Sequence, residues 1–146
     1  MKKKLKAIKK PVRVAAKPTP LRAATKIVRD SSEGQRMALA AAAAALDKKA
    51  MGVEIIDVAG KVDYADYLVL MTGHADRHVA AIADAVDEAL GKQGWHAISI
   101  EGLPRAQWVL LDFVDIVVHV FLAEQRALYD LDGLWMDAKR VRVPGV

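Results

Sequence analysis

Two pairs of aspartates at D-x-x-D spacing, Asp63 with Asp66 and Asp112 with Asp115, are the groups in this sequence most suited to metal-assisted chemistry. Paired carboxylates can hold Mg²⁺ for phosphoryl or nucleotidyl transfer. Their spacing argues against that use. Side chains on a strand alternate with a period of two, so a pair on one face needs D-x-D, and Asp112 and Asp115 instead flank a turn. His74 and His78 lie four apart with Asp76 between them, a spacing that puts two imidazoles on one helix face if the helix begins early enough. Asp76 is the better N-cap, however, which leaves His74 outside the helix and both histidines solvated. We expect no metal. Phosphate-cradling loops are missing: there is no G-x-x-x-x-G-K-[ST] and no G-x-G-x-x-G, and Gly73 and Gly102 lack companion glycines. The chain has no cysteine and no G-x-S-x-G, and its serines are Ser31, Ser32 and Ser99, the last predicted mid-strand. No catalytic residue and no cofactor are expected.

The most informative stretch is Trp108-Val109-Leu110-Leu111-Asp112, followed by Ile116-Val117-Val118-His119-Val120-Phe121. Alternation puts Trp108, Leu110 and Asp112 on one face of the first strand and Val109, Leu111 and Phe113 on the other. The second strand groups Val117, His119 and Phe121. One sheet face is then wholly apolar and the other mixes Trp, Asp and His. Such a mixed face serves as a partner surface, because aromatics beside charged groups are typical binding anchors. It serves equally as a half-buried face under the C-terminal helix, with His119 a satisfied core histidine.

These residues need a scaffold, and the periodicities supply one. Asp30 to Glu33 has the D-x-x-E form of a helix start, and Gly52 stands where a C′ glycine would end the helix. Between them Leu39, Ala42, Ala43, Leu46 and Ala50 fall on one helical face. Val53–Val58 and Tyr67–Met71 read as strands. A second helix has Asp76 as N-cap, the stripe Val79, Ile82, Ala83, Val86 and Leu90, and Gly94 as its close, with Asp84, Asp87 and Glu88 facing out. Strands follow at His96–Ile100, Gln107–Phe113 and Ile116–Leu122, the last two forming a hairpin, and Glu124–Tyr129 is a short helix. The order α-β-β-α-β-β-β-α predicts one α/β domain with a mixed sheet of about five strands and flanking helices. The sheet is parallel where the second helix crosses over and antiparallel at the hairpin.

Composition agrees with one such domain: the chain has 146 residues, 53% of them hydrophobic, enough for a real core. The net charge of +4 hides a division. Residues 1–29 carry eight lysines, three arginines and no acid, a charge of +11, whereas the other 117 residues carry 11 basic and 18 acidic side chains, a charge of −7. The high pI therefore describes the N-terminal segment, not the surface of the domain. With Pro11, Pro18 and Pro20 among spaced lysines, residues 1–32 read as a basic disordered arm, and residues 33–146 as the domain. A transit peptide is the competing reading of the arm, but such peptides favour Arg and Ser over Lys and Pro. No apolar run reaches the roughly 18 residues of a membrane span. We expect a soluble, cytoplasmic protein that engages no membrane.

A family resemblance adds to this reading. Asp66-Tyr67-Leu68-Val69, Thr72-Gly73, Asp76-Arg77-His78-Val79, Ile82-Ala83-Asp84, Glu101-Gly102, Trp108 to Asp112, Val117 to Phe121, Leu128 to Leu131 and Leu134-Trp135 resemble the ribosomal silencing factor family, RsfS or Iojap, in order and spacing. The resemblance spans about Met37 to Val141. It implies a nucleotidyltransferase-like topology without catalysis. It also implies binding to ribosomal protein L-fourteen on the large ribosomal subunit, which blocks joining of the small subunit and represses translation. The residues expected to meet that partner are Glu101, Trp108, Asp112, Asp115, His119, Tyr129, Leu131 and Trp135, which join the mixed sheet face to the C-terminal aromatic cluster. Their acidic members suit a basic ribosomal protein. The same face, left free, predicts a weak homodimer, and the arm has the charge to contact ribosomal RNA. The alternative from another class is a nucleotidyltransferase-like enzyme or nucleotide-binding domain using the paired aspartates. Two departures stand out. Val114 replaces the family's usual glycine in the hairpin turn, which predicts a reshaped turn that avoids positive φ. Ala65 replaces the usual threonine before the Asp-Tyr pair.

Overall fold

The computed structural model describes residues 32–146. The helix cap expected at Asp30 and the basic arm lie outside them, except Ser32, the last residue assigned to the arm, which opens the first helix. Helix α1 runs Ser32–Asp47 and is followed by strands β1 (Met51–Asp57) and β2 (Tyr67–Gly73), helix α2 (Asp76–Lys92), and strands β3 (Ser99–Glu101), β4 (Trp108–Asp112) and β5 (Ile116–Leu122). Helix α3 (Ala123–Tyr129), the single turn α4 (Leu131–Leu134) and strand β6 (Lys139–Val141) complete the domain. The sheet has six strands in the order β3-β4-β5-β2-β1-β6. β2 and β5 pair in parallel and every other neighbouring pair is antiparallel. It follows that β3 runs in the same direction as β2, with β4 and β5 inserted between them. The expected five-strand sheet is thus extended by β6, a short edge strand against β1. No helix among the described residues is long and apolar enough to cross a membrane.

Helices α1 and α2 cover one face of the sheet. α2 buries the stripe expected of it, Val79, Ile82, Ala83, Val86 and Leu90, and ends at Gly94, whose φ of 89° lets the Trp95 N–H reach the Leu90 carbonyl. Val79, Ile82, Val86 and Leu90 each contribute about 1.5–3 kcal/mol through burial. Its N-cap is Ala75 rather than Asp76; Asp76 already lies in the first turn, where its carboxylate accepts from the Arg77 N–H. α1 departs further from expectation. It buries Met37, Ala38, Ala41, Ala42 and Ala45, while Leu39 and Leu46 are half-buried and Ala43 is exposed. Alanines all round the helix leave its periodicity flat, so packing against α2 and the sheet chose the face. α1 also stops before Gly52: Lys49 takes the left-handed conformation at φ 62°, and the Ala50 N–H donates to the Ala45 carbonyl. Gly52 instead sits in β1 at φ 57°, where the register with β2 shifts between Met51 and Glu54. Glu33, expected in a capping box, accepts a hydrogen bond from the Trp95 indole N–H at 2.9 Å.

The opposite sheet face carries a second apolar cluster that includes Ile56, Leu68, Leu70, Val117 and Phe121. Leu110, Leu131, Trp108 and Trp135 pack against it partly buried. This second layer positions the site.

Candidate partner-binding face

Strand register assembles the site. Trp108 stands opposite Phe121, Leu110 opposite His119 and Asp112 opposite Val117, while β3 places Glu101 beside Leu110. Cross-strand partners share a face, so Glu101, Trp108, Asp112 and His119 all project away from α1 and α2. The link between β3 and β4 depends on Gly102: its φ is 102°, and a Cβ there would strike the backbone carbonyl of Trp108.

The Trp108 ring is the hub. Its centroid lies 4.6 Å from Tyr129 of α3, 5.0 Å from Phe121 and 5.8 Å from His119. The indole N–H donates to His119 Nδ1 at 3.0 Å, which leaves the imidazole proton on Nε2. His119 is buried, and burial pulls its pKa down to about 3, because an imidazolium would lose its hydration there. Trp108 is half-buried: one side of it is core, fixed by His119 and Phe121, and its remaining surface is exposed. His119 is the satisfied core histidine. Tyr129, Leu131 and Trp135 join Trp108 on this face, all half-buried, and Glu101 is exposed at its edge.

Asp112 and Asp115 do not complete the cluster. Asp112 is at the far end of β4 from Trp108, and its carboxylate accepts from the Val114 N–H at 2.9 Å. Asp115 lies beside the first turn of α1, where a Cβ on Gly34 would come within 3.6 Å of its own Cβ. Its carbonyl accepts from the Asp66 N–H at 2.8 Å. Between them Val114 takes φ 77°, so the turn keeps a left-handed residue even without glycine, contrary to the reshaped turn expected from the valine. The paired aspartates are thus spread over different tasks: Asp112 in the turn, Asp66 buried, Asp63 exposed. Among the described residues no three His, Asp or Glu side chains gather as metal ligands. His74 and His78 stack at 5.0 Å but are not simply solvated. His78 Nδ1 accepts from the His74 N–H at 2.9 Å, and its Nε2 donates to the Lys48 carbonyl at 2.7 Å, tying the end of α1 to the start of α2.

Sequence reasoning missed Arg126. Its guanidinium donates to both carboxylate oxygens of Asp132 (3.0 and 2.9 Å), to the Gly52 carbonyl (2.7 Å) and to Thr72 Oγ1 (3.0 Å). The arrangement fastens α3 and α4 to β1 and β2. Arg126 holds the Asp132 carboxyl below the usual range for an aspartate. The only sequence signal for it is one arginine among the four acids of residues 123–137.

Comparison with known proteins agrees with this architecture. The family model for the ribosomal silencing factor during starvation matches residues 30–146. The ribosomal silencing factor RsfS of Halalkalibacterium halodurans is 39% identical over 100 residues, 68% of this chain and 86% of that protein. RsfS of Bacillus subtilis is 40% identical over 98 residues, 67% of this chain and 83% of that protein. Among solved structures, a Chromobacterium violaceum protein superposes with a TM-score of 0.67 at 27% identity, covering 81% of this chain and 95% of that one. The chain belongs to the ribosomal silencing factor family, RsfS or Iojap.

Proposed function

We propose that this protein binds the large ribosomal subunit through ribosomal protein L-fourteen and blocks joining of the small subunit by occupying the surface that subunit needs. The observation that carries this reading is the convergence of Trp108, Tyr129, Leu131 and Trp135 on one half-exposed face, in a chain that belongs to the silencing-factor family. An aromatic patch fixed from beneath by His119 is a preorganised anchor. A standard interface of roughly 800 Å² per partner suffices for steric exclusion, and exclusion needs no turnover. The protein then works where ribosomes work, in the cytoplasm. The basic arm adds contacts to ribosomal RNA, and in the absence of ribosomes the same face pairs two copies weakly.

Sedimentation of separated subunits with and without the protein tests the reading. Saturating protein leaves subunits separate under conditions that otherwise give complete ribosomes; unchanged subunit joining refutes it. Titration calorimetry with nucleotides and Mg²⁺ tests the enzymatic alternative through the paired aspartates. We expect no heat of binding, and a saturable signal would reopen that alternative.

A further inference from the structure

The first turn of α1 is braced on the sheet and on the segment after α2. Glu33 accepts from the Trp95 indole N–H, and Gln35 Oε1 accepts from the Tyr67 hydroxyl at 3.4 Å. Gly34 packs so closely that a Cβ there would come within 3.3 Å of the Tyr67 ring and 3.6 Å of the Asp115 Cβ. The chain therefore enters the domain at a fixed place, the end of the sheet where β2 and β5 begin and β1 and β4 stop, away from Trp108. Asp57, Asp63, Asp66, Asp112 and Asp115 gather at that end with two bases, Lys61 and Lys139, while Glu33 and Arg36 of α1 cancel, leaving a charge of −3. Apolar surface lies beside the carboxylates: Tyr64 is 45% exposed and Val62 is half-buried.

We propose that residues 21–29 of the same chain dock on this end of the sheet, with Arg22, Lys26 and Arg29 against its aspartates and Leu21, Ile27 and Val28 against Tyr64 and Val62. The segment carries three bases and no acid, interleaved with those apolar residues, so it matches the surface in both charge and apolarity. Reach selects it over other occupants. Arg29 stands five residues before Gly34, a span of up to about 17 Å, so the carboxylates around Asp115 are within its range. Attachment to α1 also gives the segment an effective concentration on the order of millimolar, which a second copy or a separate basic peptide lacks. The sign of the surface repels RNA. Docking divides the arm in two: residues 1–20, with eight bases, are left to meet RNA, and they depart from the end of the sheet opposite Trp108. The docking itself does not depend on the ribosomal reading.

The test uses the full-length protein. It has no cysteine, so Thr25→Cys provides a single site for a nitroxide. At low salt the nitroxide lowers the amide signals of residues 62–66 and 114–115 by about twofold or more, and those of α3, at the other end of the sheet, by less. Reversing the arm's charge with Arg22→Glu and Lys26→Glu abolishes the effect, and unchanged α2 amide signals show that the domain is still folded. Mixing isotope-labelled protein that lacks the nitroxide with unlabelled protein that carries it leaves the signals intact, as docking within one chain requires. In a second measurement, trypsin at low salt cuts after Arg22 and Lys26 about tenfold more slowly than after Lys6 and Arg13, and high salt removes the difference. Undiminished signals near Tyr64, an effect that survives charge reversal, an effect in the mixture alone, or equal cleavage along the arm overturns the proposal.

Discussion

Replacing Arg126 with glutamine tests how the C-terminal elements are held. The side chain loses its bonds to the Gly52 carbonyl and Thr72 Oγ1, each worth about 0.5–1.5 kcal/mol net. It also loses the two-pronged pair with Asp132. The two side chains are 14% and 33% exposed, so the pair sits at the upper end of the range for exposed ion pairs, and we assign it about 1 kcal/mol. Arg126→Gln therefore lowers stability by about 2–4 kcal/mol in urea unfolding near neutral pH. A double-mutant cycle with Asp132→Asn isolates the pair. Arg126 depresses the folded-state pKa of Asp132, so the pair's contribution is fully present above the unfolded pKa of an aspartate, about 3.9, and is lost as pH falls through the lower folded value. The coupling of about 1 kcal/mol should consequently shrink toward zero in strong acid. A loss under about 0.5 kcal/mol for Arg126→Gln, or a coupling that does not change with acidity, would refute the clamp.

Three further outcomes are expected. His119 has a folded pKa of about 3 against an unfolded value of about 6.5, so its contribution to stability is present above 6.5 and is lost as pH falls toward 3. Its ring resonances should remain those of the Nε2–H tautomer throughout the neutral range, and a titration near the unfolded value would contradict the buried site. Val114→Gly removes a β-branched residue from φ 77°, a relief of about 1–2 kcal/mol against about 0.5–1 kcal/mol for the added flexibility of glycine. Thermal melting should show an equal or more stable protein, and a clear loss would mean that the valine side chain contributes more by packing than its backbone costs. Deleting residues 1–32 should weaken binding to large subunits at low salt and flatten the salt dependence by about 0.7–0.9 for each phosphate the arm had neutralised. Equal affinity at every salt concentration would leave the arm without a binding role.

The parts of the fold that are legible in the sequence are those where side-chain contrast is strong. The buried stripe of α2 is legible to the residue, though its N-cap is not, because Asp84, Asp87 and Glu88 stand opposite a run of aliphatics. The faces of β4 and β5 are legible because alternation brings Trp108 and His119 together while leaving Val109 and Val118 for the helices. α1 is not, since alanine marks no face and Lys49 ends the helix in a conformation usually given to glycine. β6 escapes notice because it has only three residues, two of them basic, and owes its strand to β1. Of the expected site, Trp108, His119 and Tyr129 come into ring contact, with Leu131, Trp135 and Glu101 on the same face. Asp112 and Asp115 fall outside it, because the turn they flank lies at the end of β4 and β5 away from Trp108. Arg126 could not be foreseen because two of its partners, Gly52 and Thr72, are remote in sequence.

The pairing of β6 with β1 also bears on how the chain comes off the ribosome. Asp57 meets Lys139 in that pair, so the outer edge of β1 waits for a strand made some eighty residues later. At about 5–20 residues per second, that is a delay of roughly 4–16 s during which Ile55 and Ile56 sit on an open edge. β2 likewise waits for β5 before its parallel partner exists. Closure of the sheet is therefore a late event in synthesis, and a chain truncated before Lys139 would keep its aromatic strands while leaving an adhesive edge exposed to other nascent chains.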